Sequence, residues 1–342
     1  MSKTLSGKTV LVTGGTGSIG SVIVKEAMAQ GAKKVIVFSR DEIKHFIMMR
    51  RILDKRLETI VGDVRDPKSA EQAFREAIDI VYHAAAMKHV VMCEEFPMEA
   101  VKTNILGTQN IVDMMLKYKV PKMITISTDK AVDATNLMGA TKYTAERLTL
   151  NGNSLSKGEQ VFSCVRFGNV ANSRGSVIPI YIDNLINSNP LEITNPDVTR
   201  FIMEMPDAVS LVVKATELAE GGEIFIFKMK SFKLGDLVDV MVNRIAPKLN
   251  IDPGKVRVER SSLDVGEKLH EDLINNTELS RAESLDEMYV IKEPRRLTTH
   301  GPTQKKEKIL KYSSRDVELI SHDELERIVL DYLRERDIFK YV

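Results

Sequence analysis

The segment Thr13-Gly14-Gly15-Thr16-Gly17-Ser18-Ile19-Gly20 constrains this chain more than any other. Before it lies a short β-branched run, 8–13 (KTVLVT). After it comes a stretch, 18–30, with Ile19, Val22, Ile23 and Ala27 at helical spacing and Gly31 as its stop. The loop contains G-x-G-x-x-G at Gly15, Gly17 and Gly20. Glycines there permit a tight turn and let backbone N–H groups approach an anion at a helix N-terminus. A glycine pattern alone is weak, but a strand before it and a helix after it are the context that gives it meaning. A dinucleotide pyrophosphate is therefore expected against Gly14, Thr16, Gly17, Ser18, Ile19 and Gly20.

The rest of the first half keeps the same alternation. Apolar strands are predicted at 34–38 (KVIVF), 58–61 (ETIV), 79–82 (DIVY), 122–126 (KMITI) and 160–165 (QVFSCV), with helices at 41–53, 67–77, 97–118 and 139–150. Continuous apolar strands interleaved with amphipathic helices mean an α/β fold, a doubly wound parallel sheet of Rossmann type covered on both faces. After about residue 170 the alternation breaks down, and Pro179, Pro190, Pro196 and Pro206 fall at short intervals. A smaller mixed α/β domain is expected there. The division is 1–170, with returning segments near 200–225, for the cofactor domain, and 171–199 with 226–342 for a discontinuous substrate domain. The run 304–308 (QKKEK) reads as a solvated loop.

Composition removes several classes. With 49 Lys+Arg against 48 Asp+Glu the formal charge is +1, so no basic excess points to nucleic acid. Two cysteines, Cys93 and Cys164, make no disulfide framework and are expected to be buried apolar positions. No apolar run reaches the ~20 residues of a membrane helix, and the start lacks a signal-peptide apolar region. A cytoplasmic protein without a membrane partner is expected. The histidines show no metal spacing, so no metal site is expected. The pairs Met48-Met49 and Met114-Met115 read as core contacts.

Two further positions refine the nucleotide site. The second strand runs into Phe38-Ser39-Arg40, where an Asp or Glu would hold the ribose of NAD. Arg40 suits a 2′-phosphate through a forked, charge-assisted contact, so NADP is favoured. Ser39 and Arg40 form this end, with Asp41 adjacent. Asp63 and Val64, after the third strand, are expected beside the adenine. Past the fifth strand comes Ser127-Thr128-Asp129-Lys130, and Lys142 follows within Asn136-Leu137-Met138-Gly139-Ala140-Thr141-Lys142. In open parallel sheets chemistry gathers beyond the carboxyl ends of strands.

Across nearly its whole length the chain resembles the extended short-chain dehydrogenase/reductases. Within them it is similar to the nucleotide-sugar 4,6-dehydratases of capsule and flagellin glycosylation, and most of all to the UDP-N-acetylglucosamine 4,6-dehydratases. The resemblance rests on TGGTGSIG, FSRDE at 38–42, GDVRD at 62–66, HAAAMK at 83–88 and EAVKTNILGT at 99–108. It continues through STDKAV at 127–132, RFGNVANSRGSVIP at 166–179, TRF at 199–201 and GEKLHE at 266–271. It implies C4 oxidation of the sugar by NADP, loss of water across C5 and C6, and return of the hydride to C6. Lys130 would be the C5 base and Asp129 the acid at the C6 oxygen, with Thr128 on the C4 oxygen. The resemblance further places Ala84, Ala85 and Ala86 against the cofactor. Lys88 would lie at the cofactor–substrate junction. Asn169, Ser173, Arg174, Ser176, Val177, Arg200 and Glu267 would hold the uridine diphosphate. C5 inversion, a homodimer through helices 97–118 and 139–150, or a homohexamer, are also implied.

Two departures stand out. Members of the broad class carry Tyr-x-x-x-Lys, whereas here Met138 occupies the tyrosine position, and methionine cannot act as a base. Asp129, or Lys142 acting through ribose hydroxyls and water, is then expected to take the C4 hydroxyl proton. Related sequences also often have an arginine where this chain has Asp264, so a diphosphate contact is either missing there or supplied by Arg260 or Arg257.

Overall fold

A computed structural model describes residues 3–262, 266–292 and 312–336. The first half builds β1 (Thr9–Thr13), α1 (Ser18–Ala29), β2 (Lys34–Ser39), α2 (Glu42–Arg51), β3 (Leu57–Val61), α3 (Pro67–Glu71) and β4 (Ile80–His83). It continues through α4 (Val90–Glu95), α5 (Pro97–Ala100), α6 (Gly107–Lys117), β5 (Lys122–Thr128), α7 (Leu137–Leu155) and β6 (Val161–Phe167). The strands order as β3-β2-β1-β4-β5-β6, the doubly wound order, with β1 parallel to both β2 and β4. Strand order reverses beside β1, which opens the crevice where such sheets bind nucleotides.

Nine strands make this sheet among the described residues. Glu223–Phe227 adds parallel to β6, Met288–Lys292 adds antiparallel to Glu223–Phe227, and Ala282–Ser284 adds antiparallel to Met288–Lys292. β1, β4 and Glu223–Phe227 are buried at every position, which is why they read as unbroken apolar runs. One core cluster joins Leu11, Ile36, Phe38, Val81, Met115, Met123 and Phe162.

The chain divides into two compact units: Met1–Arg166, Val209–Lys228 and Ile274–Lys311 in one, Phe167–Ala208, Met229–Leu273 and Tyr312–Val342 in the other. This corrects the expected division in its last third. The expectation places residues 274–292 in the substrate domain, but their two strands complete the large sheet, whereas 200–208 go with the smaller unit. The smaller unit holds a three-stranded sheet centred on Thr199–Met203 and its own core, including Tyr181, Leu191, Phe232, Leu237 and Val329.

Other expectations change in detail. The helix expected at 97–118 is α5, a π-helical stretch Val101–Leu106, and α6. That at 67–77 ends in a 3₁₀ turn, Gln72–Phe74, and α4 is an addition to the expected elements. Cys93 and Cys164 are buried free thiols. Met48 is buried, but Met49 is 45% exposed rather than in the core as expected. Met115 is buried with Met114 packed against its cluster. Asp264, His300 and the run 304–308 lie outside the described residues. No helix among those described is long and apolar enough to cross a membrane.

Candidate active site

Gly14 sits at φ +67°, a left-handed conformation that L side chains rarely adopt. A Cβ there would lie 2.7 Å from the Ala85 nitrogen and 2.8 Å from the Ala84 carbonyl. A Cβ on Gly20 would lie 2.4 Å from the Gly14 oxygen. The turn thus closes against the Ala84-Ala85-Ala86 loop with no room for side chains. Helix α1, beginning at Ser18 and Ile19, has no side-chain cap at Gly17 and no acidic residue in its first turn. The positive end of the helix dipole therefore faces the turn with no acidic side chain beside it. A dinucleotide pyrophosphate fits this cradle.

At the far end of β2, Thr16 Oγ1 lies 2.8 Å from Ser39 Oγ, which lies 2.8 Å from Nε2 of buried His45. Burial pushes the His45 imidazole below its ordinary range. Arg40 is half exposed, with Nη1 3.8 Å from Asp63 Oδ2. Asp63 is more committed than its sequence position indicates: Arg65 forks onto it at 2.6 and 2.8 Å. Burial alone would raise the Asp63 carboxyl, but Arg65 and Arg40 hold it below its usual range. Val64 is buried behind it and packs toward Gly107.

The loop expected to be catalytic is a 3₁₀ turn, Asp129–Ala131, immediately after β5. Asp129 is fully buried. Its Oδ1 accepts from the Thr128 hydroxyl at 2.7 Å, the Lys130 N–H at 2.9 Å and Lys130 Nζ at 3.1 Å. Its Oδ2 is buried and has no hydrogen-bond partner. Leaving such an atom unpaired costs on the order of 1–3 kcal/mol, more for a charged group. Such an atom calls for a partner from a ligand or an ordered water. Thr128 spends its single hydroxyl hydrogen on Asp129, so toward a ligand it has only lone pairs until that bond breaks.

Helix α7 brings up the remaining groups. Asn136 caps it, accepting from Gly139 N–H at 2.9 Å. A Cβ on Gly139 would lie 2.1 Å from the Lys130 carbonyl oxygen, so the helix start is pressed against the Asp129–Ala131 turn. Met138 is 3% exposed and packs with Cys93 and Ala100, a dry thioether where the wider class has a phenol. One turn on, Lys142 is buried, with Nζ donating to the Ile126 carbonyl at 2.7 Å. Burial pushes its pKa down and the neighbouring Glu146 partly restores it.

Sequence reasoning passes over the residues that brace this corner. Asn104, in the π-helical stretch, accepts from Met87 N–H at 2.8 Å and donates to Met87 O at 3.0 Å and Thr141 Oγ1 at 2.9 Å. It moors the loop that carries Ala84–Ala86 and exposed Lys88. His83 bridges Thr13 and Thr108 at 2.7 and 3.0 Å, and burial first, then Lys142, pushes its pKa down to about 3. The only sequence signal for Asn104 is its place inside EAVKTNILGT.

In the smaller unit, Asn169 opens a short strand and Ser173, exposed Arg174 and Ser176 form a turn into the helix Val177–Ile186. That helix has no side-chain cap and no acidic first turn, and Ser176 Oγ is buried without a partner. Arg200 is 9% exposed and donates to Glu267 at 2.6 Å, while Glu267 Oε2 is buried and unpaired. Arg257 is taken by Ser188 O and Glu259, and Arg260 lies on an exposed strand, Val258–Arg260. No trio of His, Cys, Asp or Glu among the described residues could hold a metal.

The larger unit thus carries a glycine-built turn, a buried carboxylate beside the partly exposed Lys130 and a buried lysine on the following helix. Residues 10–293 match the family described as polysaccharide biosynthesis protein, and the chain belongs to it. An uncharacterised membrane protein of Methanocaldococcus jannaschii is 43% identical over 324 residues, covering 94% of this chain and 95% of the relative. A UDP-glucose 4-epimerase of Rickettsia akari is 35% identical, covering 96% and 97%. The X-ray structure of Pen from Bacillus thuringiensis superposes with a TM-score of 0.88 at 37% identity, covering 96% and 98%.

Proposed function

We propose that the protein is an NADP-dependent UDP-N-acetylglucosamine 4,6-dehydratase of the cytoplasm, inverting at C5, that feeds surface-glycan synthesis as a homodimer or homohexamer. The observation that carries this reading is Asp129: buried, held through Oδ1 by three donors, and with Oδ2 unsatisfied beside Lys130. Elimination needs a base at C5 and an acid at the C6 oxygen, and this pair supplies both.

A bound nicotinamide supplies reversible hydride acceptance, from C4 and back to C6. In the active form Lys130 is an amine and Asp129 a carboxylate. Asp129 Oδ2 takes the C4 hydroxyl proton as C4 becomes a ketone, the task that Met138 cannot perform. The ketone acidifies C5, and Lys130 removes that proton. Asp129 then delivers its proton to the C6 hydroxyl, which leaves as water. Solvent water reprotonates C5 from the opposite face to give the inverted product, and Lys130 returns its proton to solvent, so the site is reset with no net proton gained or lost. Lys142 orients the cofactor ribose. Arg40 and Ser39 recognise a 2′-phosphate. Arg200, with Arg174, Ser173, Ser176, Val177, Asn169 and Glu267, holds the uridine diphosphate, and Lys88 meets the substrate near the cofactor.

The 35% identical relative named a 4-epimerase favours a second reading, epimerisation at C4, for which a C5 base has no use. Proton NMR of UDP-N-acetylglucosamine with NADP in heavy water separates the two. A new C6 methyl signal with deuterium at C5 is expected, and ring couplings then report inversion. A C4 epimer with C5 undeuterated would replace the dehydratase reading with the epimerase.

A further inference from the structure

Behind the catalytic corner lies a group of buried charges that the mechanism above does not use. Arg166, on β6, is fully buried. Its Nε and Nη2 donate to Glu146 at 3.0 and 2.7 Å. Its Nη1 and Nη2 donate to Glu278 at 2.9 and 3.0 Å. Glu146 Oε1 also accepts the Ser127 hydroxyl at 2.6 Å, and Ser127 is the residue before Thr128-Asp129-Lys130. Glu278 is itself pinned, in a capping box with Asn275.

We infer that Glu146, clamped by Arg166 and Glu278, is the positioning residue that fixes Ser127 and the Asp129-Lys130 turn relative to Lys142. This rests on the proposed roles of those three residues. Glu146 sits four residues after Lys142 on α7, on the same helical face. It therefore touches the end of β5 with one oxygen while its own backbone carries Lys142.

The charges explain why two carboxylates share one guanidinium. Glu146, Arg166 and Glu278 sum to −1 in a place that excludes water, and a protonated Lys142 brings the sum to zero. Arg147 faces Glu278 from the same helix but is only partly buried. The other groups facing Lys142 are the neutral His83 on β4 and Cys164 on β6, whose thiol burial pushes far above its usual range. Glu146 then opposes the burial that lowers the Lys142 pKa.

Three variants test this in the full-length protein with NADP, each read by Tm, kcat and KM, and by NADP affinity from pH 7 to 10. Glu146→Gln keeps the shape and removes the charge. It should lower kcat at least ~10-fold with little change in KM, and bring the high-pH loss of NADP affinity about one unit lower. Glu146→Asp keeps the charge, so the affinity profile should stay at the wild-type pH while kcat falls. Glu278→Gln loosens the clamp from its far side but leaves Glu146 its charge and its bond to Ser127, so Tm should drop and kcat should fall less than in Glu146→Gln. If Glu146→Gln and Glu278→Gln lower kcat only in proportion to Tm, with the NADP profile unmoved in both, the group is structural and the inference fails. The NADP arm reads out independently of the sugar, so a wrong substrate assignment leaves it decisive.

Discussion

The Gly14–Gly20 turn and the Asp129–Lys142 corner line the same sheet edge in the larger unit, yet they are built by opposite means. The turn is shaped by backbone. Gly14 and Gly20 let main chain come within distances that any side chain would block, and no charged group is involved. The corner is shaped by side chains, with Asp129, Lys142, Glu146 and Arg166 all buried and each placed by hydrogen bonds. A backbone-built site fails through steric overlap, and a charge-built site fails through an unpaired charge. The two should therefore respond to different substitutions and through different observables.

The sharpest test of the corner is Asp129→Asn. It keeps the shape and removes the proton carrier, and turnover should fall by at least ~10³-fold with NADP affinity retained, measured by single-turnover kinetics and fluorescence titration. Full-rate C4 oxidation in that variant would break the assignment of Asp129 to the C4 proton. The matching test of the turn is Gly14→Ala. Positive φ and the contact with Ala84 and Ala85 together should cost about 2–4 kcal/mol. The expected result is NADP affinity roughly 100-fold weaker with the unfolding midpoint lowered.

His83 sharpens the comparison through pH. Its imidazole titrates near 3 when folded, below the roughly 6.5 of an unfolded chain. The unfolded state therefore takes up the proton first, and stability is full above pH 6.5 and lost as pH falls toward 3. Between pH 6.5 and 5 that amounts to about 2 kcal/mol. Chemical denaturation should show this slope flattened in His83→Gln. The smallest effect is expected at Arg40, which is half exposed: Arg40→Ala should weaken NADP roughly 10-fold and leave NAD unchanged. Equal loss for both cofactors would remove the 2′-phosphate contact from the turn.

This contrast also explains what can be read from the chain. Backbone-limited positions announce themselves as glycines at fixed spacing, so the nucleotide cradle and the succession of β1 to β6 are legible in the amino-acid sequence by itself. The corner is legible only where its residues are consecutive, as in Thr128-Asp129-Lys130. Asn104, Glu146, Arg166 and Glu278 are scattered over 175 positions, 104 to 278, and each reads alone as an ordinary polar residue. Glu278 is harder still, because the strands that return 274–292 to the large sheet carry short patterns that do not distinguish one sheet from another. The π-helical stretch leaves no periodic signal, since its extra residue falls inside an amphipathic run.

Asp129 and Lys130 are neighbours in sequence on one short turn, and their contact depends on that turn rather than on two distant elements meeting. The proposed acid and base therefore travel as a cassette. Moved onto another strand end of the same sheet type, with a glycine retained where α7 presses on the Lys130 carbonyl, the pair should keep its internal geometry and lose only its surroundings. What a recipient scaffold would have to supply is the dry pocket and the countercharge, which makes this site divisible for design in a way that catalytic groups drawn from separate elements are not.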